Sequence, residues 1–338
     1  MANDKVTGVL INRLLKVIEK EGKLPWQKPW YFRYAMNYFT EHTYTGINRW
    51  LLPAGEYMSA EQLNMYNKKM GTNYRFAKGI EWIPTLMIRN IKSHPQASEL
   101  TKEERQFLTE NKREKIRRDN NTYAWSNEDG CVMKSYMLRR FWLVAEIAHF
   151  VDGEGNNPPS KIEGGKIEFV IENPDRVVKE YVQRENIGFY TDAVNEAYYD
   201  ILRDSVHIPK RKDFKSAEAL YATIFHELGH STGASNRLAR KEVYERTYNT
   251  KKYEVSREEL VAEMCACLLC AETGIYNIEY SEMPHRVQQN SEAYIKTWYD
   301  RIKSGVDDIV YIASDAEKAC KFVLGEYINA TEESEEKL

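Results

Sequence analysis

The sequence predicts an α+β protein built from two domains. Its 338 residues exceed what one hydrophobic core usually holds. Residues 1–150 contain 24 Lys and Arg against 16 Asp and Glu, whereas the rest of the chain contains 24 against 35. A Gly-, Asn- and Pro-rich stretch separates the two parts. We therefore expect a first domain over 1–150, a linker over 151–165, a second domain over 166–328 and a disordered acidic tail over 329–338.

The first domain is predicted to mix helices with strand. Apolar residues recur at helical spacing near the N-terminus. An aromatic turn segment and a second turn entering an apolar helix come next, followed by a further helix and a strand. A highly charged stretch follows the strand and is interpreted as either a solvated helix or an ordered insertion. In chain order these are about 5–20, Pro25–Trp30, Tyr44–Trp50, about 59–69, Trp82–Ile88 and Lys102–Arg118.

The second domain is predicted to be mostly helical. In its Asp204–Pro209 segment polar and apolar residues alternate and a proline ends the run, which is typical of an edge strand. Helical periodicity places the helices at about 173–184, 191–199, 216–232, 256–272, 288–303 and 313–328.

The lengths of the apolar runs and the positions of the cysteines indicate the cellular compartment of the protein. No apolar run approaches the roughly 18 residues that a membrane span needs, so no membrane partner is expected. Basic residues interrupt the N-terminal apolar positions, which does not fit a signal peptide. Of five cysteines, Cys265, Cys267 and Cys270 crowd one predicted helix, which favours reduced thiols and the cytoplasm. Cys267 and Cys270 could bind a metal, but buried packing is favoured.

His226-Glu227-Leu228-Gly229-His230 has the metal-ligand spacing His-Glu-x-x-His. Ser216 is a good N-cap for the helix that contains it. Residues four apart on a helix share a face, so His226 and His230 can point at one divalent ion, with Glu227 beside it. The alternative is a chance pair of histidines at helical spacing.

A catalytic zinc needs a third protein ligand and an open position for water. Ser256 and Glu259 form a capping-box pattern, which predicts that a second helix starts there. Glu259 and Glu263 share a face of that helix, so one can bind the metal while the other accepts the outer N–H of a ligating histidine. The plain alternative is one capping and one solvated glutamate.

These residues suggest a hydrolytic mechanism. A metal lowers the pKa of a bound water, and Glu227 takes its proton and passes it to the leaving amine. Tyr253 is a candidate oxyanion donor, although simple packing of this tyrosine is the alternative. The Ser205–Ile208 strand could pair with an extended substrate, whereas His207 is expected to be structural.

Basic and aromatic residues alternate in the first domain, a pattern that suits single-stranded nucleic acid. Bases stack on rings while Lys and Arg follow the phosphates. Each aromatic could instead belong to the core. The candidate nucleic-acid-binding residues are Trp26, Lys28, Trp30, Arg49, Trp50, Arg75, Lys78 and Trp82.

The second half resembles the gluzincins, which pair His-Glu-x-x-His with a downstream helix that carries two acids four residues apart. By that resemblance Glu259 is the third ligand and Glu263 supports the site, with the reverse assignment left open.

The whole order of features resembles the ArdC-like antirestriction family of plasmids and conjugative elements. The matching stretches are Pro25–Trp30, Tyr44–Trp50, Lys78-Gly79, Phe214–Glu218, Phe225–Gly233, Glu258–Glu263 and Ser314–Ala319. The sequence departs from that family in the charged insertion at about 93–130 and in Tyr253, which lies farther from the acids.

The resemblance implies an N-terminal α+β domain that binds single-stranded DNA. A mostly helical zincin-like (gluzincin) metallopeptidase domain with a small sheet would follow it, with Zn²⁺ as cofactor and Mn²⁺ possible. The implied function is protection of incoming DNA from restriction during conjugation, with single-stranded DNA and an unknown protein or peptide substrate as partners. The alternative is a DNA-binding protective protein whose metal site is structural or vestigial, without peptidase activity.

Overall fold

The structure is a computed structural model. Three predicted segments fall outside the residues that it describes: Pro25–Trp30, the tail over 329–338 and the 288–303 helix except its residue 299. The described residues are 9–10, 12–16, 19, 35–93, 115–118, 122–126, 132–162, 172–194, 196–240, 243, 252–275, 299 and 306–326.

The first half is organised around one sheet. Its strands are β1 (Ala35–Asn37), β2 (Gly55–Met58), β4 (Ile83–Ser93), β5 (Lys115–Arg118), β6 (Thr122–Ser126) and β7 (Val132–Glu146), while β3 (Arg75–Phe76) pairs separately with β8 (Phe150–Val151). The order is β1-β2-β7-β6-β5, with β4 also paired to the long β7. The β1–β2 pair is parallel, and the other pairs of this sheet are antiparallel.

This sheet decides how the charged stretch at about 93–130 is built. Its described parts are strands β5 and β6, which extend the sheet beyond β7. The described part of the stretch is therefore an ordered extension of the sheet, and the helical alternative for Lys102–Arg118 is wrong at Lys115–Arg118, which form strand β5. The strand predicted at Trp82–Ile88 is confirmed as the first half of β4.

Two of the described helices lie against the sheet. Helix α1 (Ile47–Leu51) follows the predicted turn, and α2 (Ala60–Met70) confirms the helix predicted at 59–69. A capping box starts α2, because the Ser59 side chain accepts from Gln62 N and the Gln62 side chain accepts from Ser59 N. Gly71, at φ 68°, ends it in the left-handed conformation that glycine adopts without strain.

The predicted linker at 151–165 is not a free tether over the residues described there. Tyr38 donates to the carbonyl of Pro159 at 2.9 Å. The buried carboxylate of Glu56 accepts from Ser160 Oγ at 2.6 Å and from the Lys161 amide at 2.9 Å. Buried polar groups need such partners, so this segment is fixed onto the first half. Its Gly- and Asn-rich part forms a turn at residues 153–155.

The second half is mostly helical, as predicted. Its described residues include the helices α3 (Pro174–Glu185), α4 (Ala217–Ser231), α5 (Lys252–Glu272) and α6 (Val306–Leu324). The strands β9 (Gly188–Tyr190), β10 (Tyr198–Asp200) and β11 (Ser205–His207) form a small sheet of order β10-β11-β9.

Three predictions for the second half are wrong. The helix expected at 191–199 is not formed, because the Tyr198-Tyr199 pair lies in strand β10, which aromatic residues favour. Helix α5 begins at Lys252, so Ser256 lies inside it rather than at its start. Strand β11 is central rather than an edge, since β9 and β10 pair with its two sides.

The main hydrophobic core joins the two halves. It packs Leu10, Leu14 and α1 residues against the buried faces of α4, α5 and α6. The sequence boundary near residue 150 therefore does not divide the core. No helix among the described residues has the length and apolarity that a membrane crossing requires.

Candidate metal centre

Helix α4 supplies the three residues of the His-Glu-x-x-His motif. Ser216 starts the helix by accepting from Ala219 N at 3.1 Å. Most of the helix is buried, which fixes the directions in which His226, Glu227 and His230 project. Buried polar side chains lower the stability of a fold unless they have hydrogen-bond or charge partners, so the partners of these three side chains indicate their role.

Gly229 allows α5 to approach α4 closely. A Cβ at this position would lie 3.1 Å from Ala262 Cα and 3.2 Å from Ala262 O. Both are backbone atoms, which cannot move without displacing α5. The glycine inside the motif therefore brings the helix that contains Glu259 against the two histidines.

The structure brings His226, His230 and Glu259 together. Their ligand atoms lie within 4.8 Å of one another, the one such cluster among the described residues. The two histidine Nε2 atoms are 3.2 Å apart, and Glu259 Oε2 lies 3.4 Å from the first and 3.5 Å from the second. Metal–ligand bonds of about 2.0–2.1 Å in a tetrahedron put ligand atoms about 3.3 Å apart, so this set fits one zinc-sized ion.

Glu258, which the sequence interpretation missed, supports His230. Its Oε1 lies 3.2 Å from His230 Nδ1, the ring nitrogen that faces away from the cluster. Arg240 binds Glu258 with two nitrogens, Nε at 2.8 Å and Nη2 at 2.6 Å. The same guanidinium donates to Gly229 O and Thr232 Oγ1, which anchors it to the end of α4. This arrangement fixes the ring orientation of a ligating histidine.

The pKa values show that the acids around the two histidines form an anionic pocket that stabilises positive charge. Burial alone would lower the pKa of His230, but Glu259 and Glu258 outweigh it and raise that pKa to about 10. Burial alone would raise the pKa of Glu258, but Arg240 lowers it to about 2. Burial also opposes ionisation of Glu259, yet the two histidines hold its pKa far below the usual range. Glu259 is therefore an anion facing the two rings, as a metal ligand must be.

Three further predicted residues lie on the same two helices. Glu227 is buried, and in the sequence it directly follows the candidate ligand His226. Glu263 is buried one turn beyond Glu259. That it supports the site stays a prediction, whereas Glu258 contacts His230 directly. The backbone of Tyr253 lies in the first turn of α5, and its side chain is outside what the structure describes.

His207 is structural in its geometry. Its Nδ1 lies 2.8 Å from Asp192 Oδ1 and its Nε2 lies 3.0 Å from Ser205 Oγ. Its ring stacks between Tyr190 and Tyr198 at centroid distances of 5.0 and 4.8 Å. Because β11 is paired on both sides, the proposal that it binds an extended substrate as an edge strand is corrected.

The described cysteines favour packing over metal binding. Cys265, Cys267, Cys270 and Cys320 are free thiols buried in the core. Burial raises the pKa of each thiol above its ordinary value. A protonated thiol is a poor metal ligand, so these residues act as small apolar groups.

The predicted DNA-binding residues that the structure describes lie in two kinds of environment, the core and the surface. Trp50 is 2% exposed in the core and Arg49 is paired with Glu272 at 2.8 Å, so both are corrected to structural roles. Arg75 and Lys78 are exposed, and Trp82 is partly buried with its ring against Phe76. The other three candidates, Trp26, Lys28 and Trp30, lie outside the described residues.

Two family models match the two halves of the chain. Residues 4–120 match the N-terminal domain of the anti-restriction factor ArdC. Residues 177–315 match a zincin-like metallopeptidase domain, and this range contains His226, His230 and Glu259.

Two curated relatives match this chain over different lengths. Two DNA primases named TraC from Escherichia coli are 35% identical over 130 residues and 26% identical over 321 residues, or 38% and 91% of this chain. The chain spans only 11% and 19% of those primases.

The fold is similar to that of the antirestriction ArdC protein from plasmid R388. The metal-free crystal structure of that protein has a TM-score of 0.60 at 21% identity, covering 94% of this chain and 96% of that one. The Mn(II)-bound structure has a TM-score of 0.59 at 19% identity, covering 96% and 98%.

Proposed function

This chain belongs to the ArdC-like family, and from that premise we propose that it is an antirestriction protein of a mobile genetic element. It would act in the cytoplasm, bind single-stranded DNA through its first half and hydrolyse a peptide bond through its zincin-like half. The observation that carries the enzymatic part is the meeting of His226, His230 and Glu259 on two helices beside Glu227. The proposed metal is Zn²⁺, with Mn²⁺ as the second possibility.

The chain's own residues have defined tasks in this proposal. His226, His230 and Glu259 would hold the ion, which when bound makes a water acidic and polarises a carbonyl. Glu227 would accept the proton of that water on its carboxylate and deliver it to the leaving amine. Glu258 and Arg240 would keep the His230 ring turned toward the ion.

The charge of the first half supports the DNA part of the proposal. Residues 1–150 have a surplus of eight basic residues, and exposed Arg75 and Lys78 are available to phosphates. The family match over 4–120 places this half with the N-terminal domain of ArdC. Lys and Arg on an exposed surface bind nucleic acid by displacing its counterions.

A plasmid-transfer assay tests the proposal. A conjugative plasmid that encodes the chain should enter restricting recipients more often than the same plasmid without the gene, whereas transfer into non-restricting recipients should be equal. Protection acts only where a restriction enzyme cuts the incoming DNA, which is why the second recipient is the control. Equal transfer of both plasmids into restricting cells would contradict the antirestriction function.

A second candidate is protection by DNA coating, with a metal site that is structural. The burial of most of α4 and the ion pair beneath His230 would suit a site that stabilises the fold. The presence of Glu227 favours the enzyme, because a structural ion needs no general base.

A further inference from the structure

A preformed cavity of about 490 Å³ lies in the first half, away from the metal centre. It opens between helices α1 and α2 and the β4–β7 strand pair. Phe39, Tyr44 and Trp142 give it aromatic walls, and Asn37 and Gln62 give it amide groups. Sites for small aromatic ligands combine apolar walls with a few oriented polar groups in this way.

The aromatic walls are held by the surrounding fold. Trp142 pairs in register with Thr85, and Thr85 Oγ1 donates to the Trp142 carbonyl at 2.9 Å. The Tyr44 ring packs edge-on against the buried Tyr57 at a centroid distance of 6.3 Å. The Tyr44 and Trp142 side chains both pack against the buried cluster that contains Tyr57. A ligand entering the cavity therefore meets rings that are already positioned, which lowers the entropy cost of binding.

The polar side of the cavity can form hydrogen bonds with a ligand. Asn37 Nδ2 donates to the Tyr44 oxygen at 3.1 Å and to Gln62 Oε1 at 3.1 Å. Burial raises the pKa of Tyr44 to about 12, so its hydroxyl stays neutral near pH 7. Within the described part of the chain that hydroxyl donates to no acceptor, so its proton is available to a carbonyl or ring nitrogen of a ligand.

The charges around the cavity favour an uncharged base inside it and phosphate groups outside it. Glu61 lines the cavity with a carboxylate, which disfavours a phosphate inside. The wall residue Met87 pairs in register with Arg140, and Arg89 follows two positions later on β4. Because residues two apart on a strand share a face, these arginines occupy positions on the face that contains Met87.

We propose that this cavity binds one unstacked nucleobase of single-stranded DNA while the phosphate backbone follows the β4–β7 face. Flat rings with polar edges match aromatic walls beside a hydroxyl donor, and basic strand positions match the backbone outside. The inference rests on the DNA-binding part of the proposed function and adds the site and the part of the DNA that it takes.

The test is fluorescence anisotropy of the full chain with two labelled strands, an oligothymidylate and an abasic strand of equal length. The wild type should bind the oligothymidylate more tightly, and both affinities should fall steeply with salt. Trp142→Leu should weaken binding of the oligothymidylate at least about fivefold and leave that of the abasic strand unchanged, because only stacking is lost. Leu143→Ala is the matched control, since this neighbour points to the opposite face and is 43% exposed.

Tyr44→Phe provides a second variant that keeps the ring, in case circular dichroism shows that Trp142→Leu does not fold. It should also reduce the preference for the oligothymidylate over the abasic strand. The inference is overturned if wild type binds both strands equally, or if the folded variants keep the wild-type preference. Failure of the wild type to bind either strand would overturn the DNA-binding proposal itself.

Discussion

Glu227→Gln should reduce peptide hydrolysis by about 10²–10⁴-fold while the chain keeps its metal and its fold. Glutamine has the shape of glutamate but cannot accept the proton of a water at neutral pH. The three proposed ligands, His226, His230 and Glu259, are unchanged by the substitution. Cleavage of a fluorescence-quenched peptide library, measured with and without a chelator, gives the rate.

Glu218→Gln is the matched control for this prediction. Glu218 lies in the first turn of the same helix, about two turns before the motif, so its loss should leave the rate near that of the wild type. A wild-type chain that cleaves the library, together with a Glu227→Gln chain that cleaves it equally fast, would remove Glu227 from the mechanism. A wild-type chain that protects DNA but cleaves nothing would favour the structural metal site.

Arg240→Met should lower the free energy of unfolding of the metal-free chain by about 3–5 kcal/mol. Arg240 and Glu258 are both buried, and two guanidinium nitrogens bind the carboxylate. Removal of the arginine takes the main counter-charge from a buried carboxylate, which then keeps only its contact with His230, and the carbonyl of Gly229 loses a donor. Urea unfolding followed by circular dichroism measures the loss.

Two further variants show whether the buried charge is the cause. Arg203→Met removes a surface ion pair with Asp200, in which the arginine side chain is 80% exposed, and should cost at most about 1 kcal/mol. Adding Glu258→Leu to Arg240→Met should recover much of the stability, because both charges are then gone. A cost for Arg240→Met as small as that for Arg203→Met would show that the pair does not support the fold.

The cluster of His226, His230 and Glu259 could be predicted from the sequence because the spacing on each helix is local. His226 and His230 share a face on any helix, and the downstream acids at Glu259 and Glu263 share a face on another. Helical periodicity likewise predicted α2, α3 and α4 close to their observed bounds. These features depend on residues a few positions apart.

Features that depend on tertiary contacts could not be predicted in this way. Glu258 was missed because Ser256 suggested a helix start, which would have left Glu258 in a solvated first turn. Helix α5 instead begins at Lys252, so Glu258 lies in the second turn of the helix, where it is buried and contacts His230 and Arg240. The one sequence signal for that contact is Gly229, since a glycine inside a helix often marks a close approach of another segment.

Trp50 was misjudged for the same physical reason. A tryptophan beside a basic residue suits DNA stacking, but here it fills a core that joins α1 to the helices of the second half. Nothing in its local sequence distinguishes these two environments, because both accept a large aromatic ring.

Metal titration by isothermal calorimetry tests the central claim most directly. The wild-type chain should bind one Zn²⁺ or Mn²⁺, and Glu259→Ala should weaken that affinity on the order of 100-fold or more, since a ligand is lost. Glu263→Ala should change the affinity less. Full affinity in Glu259→Ala together with loss in Glu263→Ala would contradict the proposed site of His226, His230 and Glu259.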